Sequence, residues 1–100
     1  MISRHWTGLL KPEETENYLS YLTGEVIPHL EKLDGFLGAG IKKRKLENGV
    51  EFVFISNWAS MEAIKAFAGV NIEVAVVAEK AQNMMLDFDK EVRHYENVNY

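Results

Sequence analysis

The chain contains no cysteine. Disulfides, thiolate catalysis and cysteine-ligated metals are therefore excluded, and the composition suits a reducing cytoplasm. It has two prolines, Pro12 and Pro28, far apart, and no Ser/Gly-rich run, so nothing marks a linker. No segment reads as a signal peptide, because Met1–Trp6 lacks an apolar core. No apolar run approaches membrane-spanning length, and no membrane partner is expected. Excess positive charge is also missing. The formal charge is −4, which argues against nucleic-acid binding, a task that needs clustered Lys and Arg. The one basic run, Lys42-Lys43-Arg44-Lys45, falls in a predicted strand, where alternation divides it between two faces. Gly-rich phosphate loops, GxSxG and HExxH are absent as well.

What remains is an order of patterns. Ile2–Gly8 reads as a strand, Pro12–Leu33 as a long amphipathic helix, and Phe36–Leu46 and Val50–Trp58 as strands joined at Asn48-Gly49. Ser60 to about Asp87 reads as helical with a break at Gly69, and Val92–Val98 as a last strand. One hundred residues spelling βαββαβ make one α+β domain. The commonest solution is the ferredoxin-like plan, an antiparallel sheet with both helices on one face.

Apolar residues in the first helix fall at Leu19, Leu22, Val26, Leu30 and Leu33, one helical stripe. Pro12 fits its first turn, and Asp34-Gly35 ends it. Pro28 is misplaced in a helix interior, since it removes a hydrogen bond and crowds the carbonyl of Gly24. A kink is expected there, either bending the helix around the sheet or opening a pocket beneath it. In the second helical region Ser60 serves as N-cap, Ile64, Phe67 and Ala68 form the apolar side, and Asn71 is expected to cap a short helix carrying Val74, Val76 and Val77. The adjacent Met84 and Met85 fill irregular core or line an adaptable pocket.

The third strand sends Phe52 and Phe54 to one face and Val53 and Ile55 to the other. A sheet with one wet face would alternate apolar with polar. The second apolar face needs a partner, and a homodimer formed through the open face of the sheet is the expectation, against partial cover by loops and the tail. The three histidines show no metal-ligand spacing, and no metal is expected. In the ferredoxin-like order the first strand lies between the third and the last. Arg4-His5-Trp6 then runs beside Arg93-His94-Tyr95 on one flank and Asn57-Trp58 on the other. These residues serve either a functional pocket or the core alone.

Several segments resemble the antibiotic biosynthesis monooxygenase family. They are Val92-Arg93-His94-Tyr95-Glu96, Phe52 to Trp58 with Ala59-Ser60, Phe67-Ala68-Gly69, and Asp34-Gly35-Phe36-Leu37-Gly38. The resemblance implies a ferredoxin-like protomer in a dimeric α+β barrel. It also implies cofactor-free oxidation of a small electron-rich aromatic compound by dioxygen, in which a deprotonated phenol- or anthrone-like substrate itself supplies the electron. On that basis His94 or His5 is expected as proton acceptor, Arg4 as a contact for the anion and Asn57 as a hydrogen-bond donor. Trp6, Trp58, Tyr95, Phe67 and Met85 are the expected cavity walls. No cofactor is expected. One branch of the family degrades haem, with an Asn on the first strand, a Trp about nine residues beyond the tryptophan that ends the third strand, and a His about ten further on. Those counts reach Phe67 and Val77 here, and the first strand offers Trp6, so haem degradation is not expected. The alternative to an enzyme is a non-enzymatic small-molecule-binding or stress-related dimer of the same fold.

Overall fold

A computed structural model describes residues 1–99 of the chain. Strand β1 (Ile2–Leu10) is followed by a 3₁₀ turn at Pro12–Glu14 and helix α1 (Thr15–Tyr21). A π-helical turn at Leu22–Val26 joins α1 to α2 (Ile27–Glu31). Strands β2 (Phe36–Lys45) and β3 (Val50–Trp58) form a hairpin. Helix α3 (Met61–Ala68), the short helix α4 (Glu79–Gln82), β4 (Met85–Phe88) and β5 (Arg93–Glu96) complete the chain. The sheet order is β2-β3-β1-β4, with β5 also pairing β1 and every pair antiparallel. This is the α+β, ferredoxin-like arrangement that the element order implies.

Three expectations are corrected. The expected last strand, Val92–Val98, is the shorter β5, which pairs with the Ile2–His5 end of β1, and an additional strand, β4, pairs with the Gly8–Leu10 end. Met85–Phe88, expected as helix, is therefore strand, because the free edge of β1 offers unpaired backbone groups that four apolar-rich residues can use. Nor does Asn71 cap a helix. Residues 69–78 run irregularly, tied by an isolated bridge between Val74 and Glu91 and by the Val92 N–H bond to the Glu73 carbonyl (2.7 Å). Four valines and an isoleucine in that stretch resist helix formation through their restricted χ1 angles. Third, the kink expected at Pro28 takes the form of the π-turn. The N–H of Ile27 bonds back five residues to the carbonyl of Leu22, and the wide turn closes just before the residue that has no N–H to give.

Other local features follow the sequence. Ser60 Oγ accepts from the N–H of Ala63 (3.2 Å), and Gly69, at φ 85°, terminates α3. Gly49 is needed for space rather than for an unusual φ, since a Cβ there would lie 2.7 Å from the carbonyl oxygen of Leu10. The inner face of the sheet carries Trp6 and Leu10 from β1, and Val50, Phe52, Phe54 and Trp58 from β3. Two core clusters form beneath the helices. One centres on Leu10, Tyr18, Leu22 and Phe52, the other on Leu30, Trp58 and Ile64. Among the described residues no helix is long and apolar enough to cross a membrane.

Candidate functional site

Opposed residues in a sheet share a face, so register decides which side chains meet. Arg4 pairs with Ser56 on β3 and with His94 on β5, and Trp6 pairs with Phe54; these face the helices. His5 pairs with Ile55 and Arg93, and Ser3 with Asn57 and Tyr95; these face the opposite way. The expected convergence of Arg4, His5, Trp6, Asn57, Trp58, His94 and Tyr95 is thus divided between two faces.

On the inner face a cavity of ≈ 90 Å³ lies where the two core clusters meet. Its floor is Arg4, Trp6, Phe54 and Ser56 of the sheet, its walls include Tyr18, Leu22, Leu30 and Phe67, and its roof is Val76, Val77 and Ala78. The π-turn residues Leu22 and Val26 both line it, which links the helix irregularity to the cavity.

Arg4 is its one buried charge, 5 % exposed. Its Nη1 donates to the carbonyl of Ile72 (2.6 Å) and its Nη2 to the carbonyl of Val74 (3.1 Å), so the guanidinium holds the roof segment down. Nη1 also lies 3.0 Å from His94 Nε2. Arginine can only donate. The contact therefore fixes His94 as a neutral imidazole with Nε2 accepting and the proton on Nδ1. Burial, and then the charge of Arg4, push the His94 pKa down, with Glu73 opposing. Burial lowers the pKa of Arg4 itself, yet a guanidinium starts high enough to stay charged. The Phe67 ring lies 5.7 Å from the guanidinium carbon, within cation–π range.

Trp58 is fully buried and stacks on Phe67 with ring centroids 5.4 Å apart, so it backs the cavity wall without lining it. Its Nε1 donates to Ser56 Oγ (2.9 Å). Met85 packs in the core near Gly8 and is likewise not among the lining residues. Burial and the neighbouring Tyr21 push the Tyr18 pKa upward, so its hydroxyl remains a phenol. Trp6 Nε1 donates to the carbonyl of Asp89 (2.8 Å), pinning the indole at the gap between β4 and β5.

On the outer face His5 makes an edge-on contact with Tyr95 (centroids 4.8 Å), and Asn57 Oδ1 accepts from Ser3 Oγ (2.8 Å). His29 is exposed on α2. Of the residues expected from sequence, Arg4, Trp6 and Phe67 line the cavity, and His94 adjoins it through Arg4. Sequence reasoning missed Ser56, Tyr18, Tyr21 and the valine-bearing roof. One signal for the division was present: the even positions of β1, Ile2, Trp6 and Leu10, are more apolar than Ser3, His5 and Thr7. That asymmetry turns Arg4 inward and His5 outward.

A sequence profile of the antibiotic biosynthesis monooxygenase family matches residues 1–71. No curated protein matches significantly. Among solved structures, a candidate antibiotic biosynthesis monooxygenase from Bacillus cereus is similar at 22% identity and TM-score 0.66, covering 100% of this chain and 95% of that one. A Streptomyces coelicolor monooxygenase solved with nanaomycin D is similar at 16% identity and TM-score 0.67, covering 99% and 88%. A haem-degrading protein of Mycobacterium tuberculosis, solved with two haems in its active site, is similar at 16% identity and TM-score 0.61, covering 100% and 98%. At these identities the likeness is one of fold.

Proposed function

The chain belongs to the antibiotic biosynthesis monooxygenase family, and from that premise we propose that it binds a small electron-rich aromatic compound in the inner cavity and oxidises it with dioxygen, without a cofactor. The observation that carries this reading is an aromatic cavity whose one buried charge is a guanidinium with no acidic partner within 4 Å among the described residues. Such a site favours the anion of a phenol- or anthrone-like substrate over its neutral form.

Arg4 holds the substrate oxyanion. A substrate oxygen that takes over one Nη1 contact comes within reach of His94 Nε2, the neutral lone pair next to it, which accepts the proton. Trp6, Phe54 and Phe67 enclose the ring and exclude water. The substrate anion then gives an electron to dioxygen. For an anthrone-type ring the methylene carbon becomes a carbonyl. One atom of dioxygen supplies that carbonyl oxygen, the other leaves as water with the two methylene hydrogens, and the substrate provides all the electrons. A tricyclic substrate exceeds the closed cavity, since sites for drug-sized ligands span roughly 300–1,000 Å³. It enters by displacing the irregular 69–78 segment.

An oxygen electrode tests this. With an anthrone-like substrate, uptake should match product one to one, and His94→Ala should slow it by about a hundredfold. Binding without oxygen uptake would overturn the enzymatic reading in favour of a binding module. One observation favours that module: the His94 lone pair is already engaged by Arg4 and its basicity is depressed.

Haem does not fit. No histidine lines the cavity, and Val77, which does, has no ligating atom. Titration with haemin should give no sharp one-to-one Soret band. The outer face completes the proposal. Val53, Ile55, Thr7 and Leu9 are half-buried there, and a second copy of the sheet would cover them.

A further inference from the structure

The polar groups of the cavity are unbalanced. Arg4, Ser56, Tyr18 and Tyr21 bring hydrogen-bonding side chains to it, and among the described residues no carboxylate lines it. A guanidinium has five N–H donors. The Ile72 carbonyl, the Val74 carbonyl and His94 Nε2 engage three of them. The Nε–H and the second Nη2–H have no partner among the described residues. The Nε–H lies beside Nη2 on one edge of the guanidinium, and the spacing of such an edge matches the two oxygens of a planar anion. Among the described residues no fully buried side-chain nitrogen or oxygen lacks a partner, so the Nε atom of Arg4, which has none, keeps access to open space. Ser56 Oγ already accepts from Trp58 Nε1, which leaves its own O–H to donate. A cavity whose side chains offer donors and a positive charge, with no side-chain acceptor apart from the hydroxyls, favours an anion that only accepts.

Size narrows the class. An engineered apolar cavity of about 150 Å³ takes one benzene ring. The ≈ 90 Å³ here is smaller, so a single ring fits only by extending into the cavity's open side, and nothing larger fits while the roof is down.

We propose that the cavity, with its roof down and one side open, is a receptor for a single-ring aromatic monoanion carrying two oxygens on one edge, a carboxylate or a chelated enolate. The anion pairs with the Nε/Nη2 edge of Arg4, Ser56 donates to it, and the ring lies among Trp6, Phe54 and Phe67. The proposal deepens the function above and rests on the same cavity, but not on its oxygen chemistry.

Benzoate, benzamide and benzamidine share a shape and differ in charge. Each is titrated into the unaltered protein by calorimetry and by tryptophan fluorescence, with tropolonate as the enolate probe. Benzoate or tropolonate should bind roughly ten- to a hundredfold more tightly than benzamide, the yield of added charge-assisted hydrogen bonds. Benzamidine should not bind. Tropolonate alone binding assigns the enolate; benzoate alone assigns the carboxylate. Arg4→Lys should weaken the anions by a larger factor than benzamide, because an ammonium cannot present a two-donor edge. Equal binding of benzoate and benzamide, or no binding by either anion, overturns the proposal. Benzoate does not give electrons to oxygen readily. Its binding without oxygen uptake from any substrate leaves this inference standing and ends the oxidase reading. Oxygen uptake that benzoate and tropolonate fail to inhibit does the reverse.

Discussion

Replacing Arg4 with methionine keeps most of the stem and removes the guanidinium. Three hydrogen bonds from a charged donor are lost, each worth about 1.5–3 kcal/mol net in favourable settings. Against them stands the cost of burying a charge that has no acidic partner, several kcal/mol that the methionine no longer incurs. The carbonyls of Ile72 and Val74 belong to an irregular surface segment and can rehydrate once released. The balance should be a loss of about 2 kcal/mol, hence a fall in Tm of roughly 10 °C for a domain of this size. Urea unfolding reads the first quantity. Amide exchange locates it: the N–H of Ala75, bonded to the Lys90 carbonyl, and the N–H of Val92, bonded to the Glu73 carbonyl, should lose protection. The β1–β3 amides should keep theirs relative to global unfolding. An Arg4→Met protein as stable as the original, with unchanged roof amides, would refute the reasoning. It would mean that desolvation outweighs the bonds and that Arg4 contributes nothing to holding the roof.

His5 and His94 both have pKa values lowered by burial, helped by Lys42 and Arg4 respectively. Folding therefore favours their neutral forms, and their contribution is fully present above the unfolded value near 6.5 and lost as pH falls through the folded values. The urea midpoint should drop between about pH 7.5 and about pH 5.5, and His94→Gln should reduce that drop. A homodimer should sediment at about twice the 11.4 kDa chain mass, and Ile55→Asp, on the outer face, should return it to monomer with far-UV dichroism retained. A monomeric unaltered protein at micromolar concentration would remove the partner from the outer face. Pro28→Ala should let the Leu22–Val26 turn relax toward a regular helix. Ligand affinity should fall as Leu22 and Val26 rotate in the cavity wall, while Tm holds or rises; unchanged affinity would show that the π-turn does not shape the site.

The parts of the fold legible in the sequence were those set by local chemistry. Strand β3 runs from Val50 to Trp58 as expected, and Ser60 and Gly69 bound α3. Each depends on neighbours a few residues away, where propensity, capping and backbone freedom act. The roof was not legible, because its partners are distant. Arg4 reaches carbonyls 68 and 70 residues along the chain, and nothing in Ile72-Glu73-Val74 announces a guanidinium acceptor, since backbone oxygens are common to every residue. The division of Arg4 from His5 is a matter of parity in β1 that the two-sided apolarity of β3 obscured.

The same contrast bears on function. The family match spans residues 1–71 and so includes Arg4, Trp6, Ser56 and Phe67. The roof valines, the carbonyls of Ile72 and Val74, and His94 lie beyond it. The floor of the cavity thus belongs to the portion shared with the family, whereas its closure and its one candidate base come from the remainder. Chemistry common to the family should depend on the floor. Selection among substrates should depend on how tightly this roof is held to Arg4, and substitutions in residues 72–78 should change which ligands enter more than how fast a bound one reacts.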